Sequence, residues 1–161
     1  MPIDMEALLE LAPAIRTGMK FPNGTYKSER HFLDFVIDGQ SLWSVLGKSR
    51  DLVSVLCGEY VLDETMRAVN RLLLAEKADL PNDRRSIFIC SECGDLGCGA
   101  ITAMIVREGS SITWKDFGCE NTYEEKIWLD DYRSVGPFTF HAISYERTLV
   151  QAVDRLKTGA I

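Results

Sequence analysis

The residues richest in possible chemistry lie in one run of this 161-residue chain, Cys90-Ser-Glu-Cys93-Gly-Asp-Leu-Gly-Cys98-Gly99. Two intervening residues let the sulfurs of Cys90 and Cys93 face one ion. The glycine after Cys93 permits the left-handed turn that aims backbone N–H groups at sulfur. With Cys119 as a fourth thiolate, the set Cys90, Cys93, Cys98 and Cys119 has the composition of a closed tetrahedral zinc site. Its spacing is one knuckle followed by two single cysteines, whereas a strong zinc signature pairs two knuckles. Three readings stay open: a zinc site, thiol redox chemistry, and thiols that only fill space, since free cysteine is commonly buried.

Other motifs in the run match less well. A thioredoxin-type Cys-x-x-Cys opens a helix, whose dipole and free N–H groups lower the nucleophile's pKa. Here Cys90 ends an expected strand, and Glu92 between the thiols disfavours a thiolate. A phosphate cradle built from Gly94, Gly97 and Gly99 needs a following helix N-terminus and usually a lysine. The sequence instead continues Ala-Ile-Thr-Ala-Met-Ile-Val, an apolar strand, so the glycines read as turn positions with positive φ. Asp95 reads as a turn acceptor for backbone N–H groups. The two histidines, His31 and His141, lack an acid and a nucleophile at motif spacing, so no triad and no catalytic residue is assigned.

A second candidate is acidic and aromatic. Each half of the chain carries 12 acids and 9 bases, and the net charge is −6. Between Lys115 and Arg133, six acids face three bases. Glu120, Tyr123, Glu124, Glu125, Trp128, Asp130, Asp131 and Tyr132 form a candidate partner-binding face, because aromatics supply contact area and the acids steer a basic protein. No basic stripe exists to neutralise phosphates, so nucleic acid is excluded as a partner.

With the run Ile89 to Ala100 in view, together with Trp114-Lys-Asp-Phe-Gly118 and Gly136-Pro-Phe-Thr-Phe140, the second half of the chain resembles a group of small, uncharacterised bacterial proteins. Some of these carry an oxidoreductase label. The label agrees with a thiol reading and carries over no catalytic residue, cofactor or fold.

The elements that must position these groups follow from periodicity and punctuation. Asp4 to Leu11 reads as a short helix ending near Pro13, and residues 19–30 as a loop. His31 to Ile37 reads as a strand running into the turn Asp38-Gly39. Ser41 to Leu46 fits a return strand or a short helix. Asp63 caps a helix to about Lys77, with Met66, Val69 and Leu73 on one face. Ser86–Cys90, Ala100–Arg107 and Ser111–Phe117 are strands on short links, with a further strand at Phe138–Ala142. From Ser144, the spacing of Tyr145, Leu149, Ala152, Val153 and Leu156 predicts a final helix, ended by Gly159. The expected fold is α+β: an antiparallel β-meander with a central helix and a C-terminal helix packed on the sheet, in a single domain over residues 1–161.

No apolar run approaches the length of a membrane span. The N-terminal residues lack a secretory pattern, and five cysteines, an odd number, fit a reducing compartment, so a cytoplasmic location is expected. Two functions remain. One is a non-catalytic binding or regulatory module, such as an inhibitor or immunity-type protein using the acidic loop. The alternative is a structural zinc protein or a thiol-dependent, oxidoreductase-like one.

Overall fold

The apolar runs of the second half organise the molecule. In the computed structural model, which describes residues 6–161, they form one large antiparallel sheet beside a smaller one. The smaller sheet is built from β1 (Leu9–Arg16), β4 (Arg30–Ile37) and β5 (Gln40–Ser41) in the order β1-β4-β5, with a separate hairpin of β2 (Met19–Lys20) and β3 (Tyr26–Lys27) between the first two in sequence. The larger is built from β6 (Leu52–Ser54), β7 (Arg84–Cys90), β8 (Ala100–Glu108), β9 (Ser111–Glu120) and β10 (Phe138–His141). Its order is β10-β9-β8-β7-β6, every neighbour antiparallel, so it is a meander. Beyond β6 the chain crosses between sheets. Val55 N–H donates to Ile87 O, and the next residues pair with β4 through Leu33 N–H to Leu56 O and Gly58 N–H to His31 O.

Three helices complete the α+β architecture: α1 (Leu42–Leu46), α2 (Leu62–Leu72) and α3 (Ala142–Thr158). The stripe Tyr145, Leu149, Ala152 and Leu156 of α3 is buried. At its head Trp114 of β9 packs edge-on to Phe35, Phe140 and Tyr145. The indole N–H of Trp114 donates to the Tyr145 hydroxyl at 3.0 Å, which donates to Leu72 O at 2.6 Å. One polar chain inside an apolar core thereby fixes α3, β9 and the end of α2, with each buried polar atom satisfied.

Several local expectations are corrected. The helix expected over Asp4–Leu11 begins outside the described residues, and within them Leu9–Arg16 is strand β1. Pro13 is tolerated because β1 is an edge strand, where a missing N–H removes no ladder bond. The loop 19–30 contains the β2–β3 hairpin. Helix α2 starts at Leu62, with Asp63 and Glu64 in its first turn, and stops at Leu72 rather than Lys77. Leu74 just beyond it takes a left-handed conformation (φ 61°). Its buried face is Thr65, Ala68, Val69 and Leu72, with Met66 and Leu73 half-buried beside it. Asp38 and Gly39 both have positive φ, as a tight hairpin turn requires. Helix α3 starts at Ala142, and the Ser144 hydroxyl donates to His141 O instead of capping.

Candidate metal-binding loop

Strand β7 ends at Cys90 and β8 begins at Ala100, so the run between them must turn back within nine residues. Gly94 N–H donates to Cys90 O at 3.0 Å, closing the first turn, and Gly94 has a φ of +69°, a left-handed conformation that favours glycine. The Asp95 carboxylate accepts the Gly97 N–H at 2.9 Å and caps a single 3-10 turn over Leu96–Cys98. Gly99, at φ +99°, then delivers the chain into β8. This turn chemistry folds the second half of the run back on the first.

As a result the sulfurs of Cys90, Cys93 and Cys98 all lie within 4.8 Å of one another. The Sγ atoms of Cys93 and Cys98 are 3.4 Å apart, and Asp95 N–H points at Cys93 Sγ at 3.4 Å. Tetrahedral thiolates at the usual zinc–sulfur length stand about 3.8 Å apart, a separation these sulfurs can reach with small movements. Cys90 is half-buried, and Cys93 and Cys98 are exposed.

The loop is held from outside by charge. Arg30 donates to Ser91 O at 2.6 Å and Glu92 O at 3.0 Å. The Glu92 carboxylate accepts Ser28 N–H at 3.1 Å and pairs with Arg16 at 3.5 Å and Arg30 at 3.7 Å. The Tyr60 hydroxyl donates to Cys90 O. Partial burial works against the Glu92 charge, but the Ser28 N–H and the two guanidiniums outweigh it and hold its pKa below the ordinary value. Glu92, expected to oppose a thiolate, is therefore committed to arginines.

Protonation differs between Cys90 and Cys98. Burial disfavours a Cys90 thiolate, yet the backbone N–H groups of Cys93 and Glu92 and the neighbouring thiols overcome this and lower its pKa. Cys98 is pushed up to about 12, chiefly by hydrogen bonding with Cys93 and Cys90 and by their negative charge. A proton is retained at Cys98, while the half-buried Cys90 ionises more readily than Cys98.

Cys119 is placed elsewhere. It lies in β9 opposite Ile101, exchanges both backbone hydrogen bonds with Trp128 at 2.9 Å, and has Arg50 and Tyr132 around its thiol. It does not join the three-sulfur group, and among the described residues no other Cys, His, Asp or Glu does so. Burial raises its pKa. Cys57 is fully buried, with its thiol pushed up to about 12 by desolvation.

The acidic candidate face divides. Glu120 is buried: its carboxylate pairs with Arg84 at 2.8 Å and accepts the Thr102 hydroxyl, while Arg84 also donates to Asp116 O at 2.6 Å. Tyr132 is buried as well, with Arg50 over its ring at 5.6 Å. Neither is part of a surface, which corrects their assignment. A charge at the end of β9 needed a partner inside, and Arg84 across the sheet supplies it. Tyr123, Glu124, Glu125, Asp130 and Asp131 are exposed. Trp128 is 37 % exposed under Lys126, and Asp130 pairs with Arg133 at 2.8 Å. Tyr123, 80 % exposed, lies over Gly97, where an added Cβ would stand 2.6 Å from its ring.

Two groupings have no counterpart in sequence motifs. His31 sits between Glu29 at 3.2 Å and Glu59 at 2.8 Å, and Glu59 holds its pKa up. A cleft of about 420 Å³ opens beside Cys93, lined among others by Arg30, Tyr60, Glu64, Arg71 and Asp79. Its lining comes from separate stretches between Arg30 and Leu96, so no local spacing announces it. No helix of the described residues is long and apolar enough to cross a membrane. No protein-family model, curated protein or solved structure matches the chain.

Proposed function

We propose that this protein binds a thiophilic metal ion, zinc, on the thiolates of Cys90, Cys93 and Cys98. The supporting observation is the convergence of three sulfurs within 4.8 Å on a loop whose turns are set by Gly94, Asp95 and Gly99. Three protein thiolates leave the fourth tetrahedral position to water or an external ligand, unlike the four-cysteine site of a purely structural zinc. The two exposed sulfurs favour an ion that exchanges with its surroundings. The test is metal analysis of anaerobically purified protein, followed by cobalt(II) substitution. The expected result is one equivalent of metal, thiolate-to-cobalt absorption, and protection of three thiols from alkylation. Protein that takes up neither ion, and whose loop thiols react equally with and without it, would remove the proposal.

A second reading, a non-catalytic module that docks a basic protein, draws on the exposed part of the acidic segment. Tyr123 at 80 % exposure beside Glu124 and Glu125 is an unusual amount of aromatic surface among carboxylates. Here charge speeds encounter more than it tightens the complex. Pull-downs at low and moderate salt with Asp130→Lys combined with Asp131→Lys test it: partners recovered unchanged would end this reading.

A further inference from the structure

The charges around the cleft are not equally committed. Glu92 is held by Arg16, Arg30 and Ser28. The Glu59 carboxylate accepts the His31 backbone N–H at 2.6 Å and meets the ring at 2.8 Å. Asp79 has both oxygens on Ser86, accepting its N–H at 3.0 Å and its hydroxyl at 2.5 Å. Arg30 is spent on the carbonyls of the cysteine loop. Two groups remain. Among the described residues, the ion pair of Arg71 is with Asp79 at 3.8 Å, and that of Glu64 is with Arg67 at 3.9 Å, both beyond hydrogen-bonding distance.

Arg71 and Glu64, each with a long ion pair and no side-chain hydrogen bond among the described residues, have a defined geometry. Glu64, Ala68 and Arg71 are spaced i, i+4 and i+7 on α2, so they share one face, and all three line the cleft. Seven residues of helix place Glu64 and Arg71 about 10 Å apart along the axis. The Arg71 side chain is 16 % exposed, and that of Glu64, at the rim, is 62 % exposed. The cleft lining mixes apolar residues, among them Val55, Ala68, Ile89 and Leu96, with polar ones such as Thr65 and Ser86. A desolvated guanidinium with open donors takes a carboxylate in preference to any neutral group. A carboxylate at the other end takes an ammonium. A free amino acid is too short to reach both, whereas two or three extended residues span about 7–10 Å.

We propose that the cleft binds a linear zwitterion of short-peptide length, with its carboxylate on Arg71, its ammonium at Glu64 and its body along Ala68 and Ile89. The cleft volume, about 420 Å³, lies within the range of small-ligand sites. The proposal does not depend on metal at the neighbouring sulfurs, so it is tested on the full-length, reduced, metal-free protein.

Trialanine, its N-acetyl form and its C-terminal amide are titrated by heteronuclear NMR. Trialanine is expected to bind, and each blocked form to bind about tenfold more weakly. In Arg71→Gln the penalty for the C-terminal amide disappears while that for the N-acetyl form persists. In Glu64→Gln, at an exposed position, the pattern reverses. Equal binding of the three peptides, no binding at millimolar concentration, or discrimination that survives both substitutions would overturn the proposal.

Discussion

Two connections leave the same end of the large sheet and treat their functional side chains in opposite ways. The β7–β8 loop gathers: three cysteines spread over nine residues arrive within 4.8 Å of one another. The β9–β10 segment, residues 121–137, scatters. Glu120 and Tyr132 at its margins turn inward, and Tyr123, Glu124, Glu125, Asp130 and Asp131 stay in solvent. The difference lies in turn chemistry. Positive φ at Gly94 and Gly99 and an Asp95 cap fold the cysteine loop onto itself, whereas like charges in the acidic segment repel and are best solvated apart. The two meet where Tyr123 covers Gly97.

The division between inward and solvated acids is tested most strongly at Glu120, the acid that went inside. Glu120→Ala strands the Arg84 guanidinium among buried groups and is expected to cost about 3–5 kcal/mol in denaturant unfolding. Asp130→Ala, which removes an exposed pair, should change stability by less than about 0.5 kcal/mol. Similar values for the two would mean that the division between inward and solvated acids has no energetic content.

Next in size is the loss of a ligand. Serine at Cys90, Cys93 or Cys98 should weaken zinc binding about a hundredfold or more, and Cys119→Ser should leave it unchanged. Competition titration with a chromophoric chelator separates these cases. A large effect at Cys119 would restore it as the fourth ligand.

Proton competition gives a smaller, graded effect. Because Cys98 is raised to about 12, its proton is still bound at neutral pH and must leave when the ion arrives. Affinity should therefore rise with pH, about tenfold per unit for each proton released, and fall on acidification. Cys90, whose pKa is lowered, should be alkylated before Cys98 in the metal-free protein, and Cys57 only after unfolding. A flat affinity between pH 6 and pH 8, taken as roughly one unit either side of neutrality, contradicts this order.

The smallest effect probes the contact of Tyr123 with Gly97. Gly97→Ala requires the Tyr123 ring to move, and an exposed side chain does so cheaply, so a cost below about 1 kcal/mol is expected. Tyr123→Ala should abolish even that. A larger cost that survives in the double variant would show that the loop backbone itself, not the Tyr123 contact, resists the added methyl.

Much of the second half was legible because its signals are local. Apolar runs rich in β-branched and aromatic residues, bounded by turn residues, marked β7, β8, β9 and β10, and the 3.6-residue spacing of Tyr145, Leu149, Ala152 and Leu156 marked α3. The first half was harder to read. A proline in β1 suggests a break unless the strand is known to be an edge, and β6 is three residues long, too short to carry a period. In the candidate site, the cysteine run was visible and its shape was not. The cleft stayed hidden because its charged groups come from distant stretches of chain.

The sequence by itself determined the meander, the terminal helix and the turn positions of the cysteine loop, since each follows from neighbours a few residues away. Tertiary structure alone decided which charges have partners. Glu92 meets Arg16 across 76 positions of chain and Glu120 meets Arg84 across 36, while Arg71 and Glu64 are left with open hydrogen-bonding capacity on one helical face. It also decided that three cysteines converge while the fourth and fifth are held apart. Local chemistry bends the chain, but only its return path through the sheets sets which side chains meet.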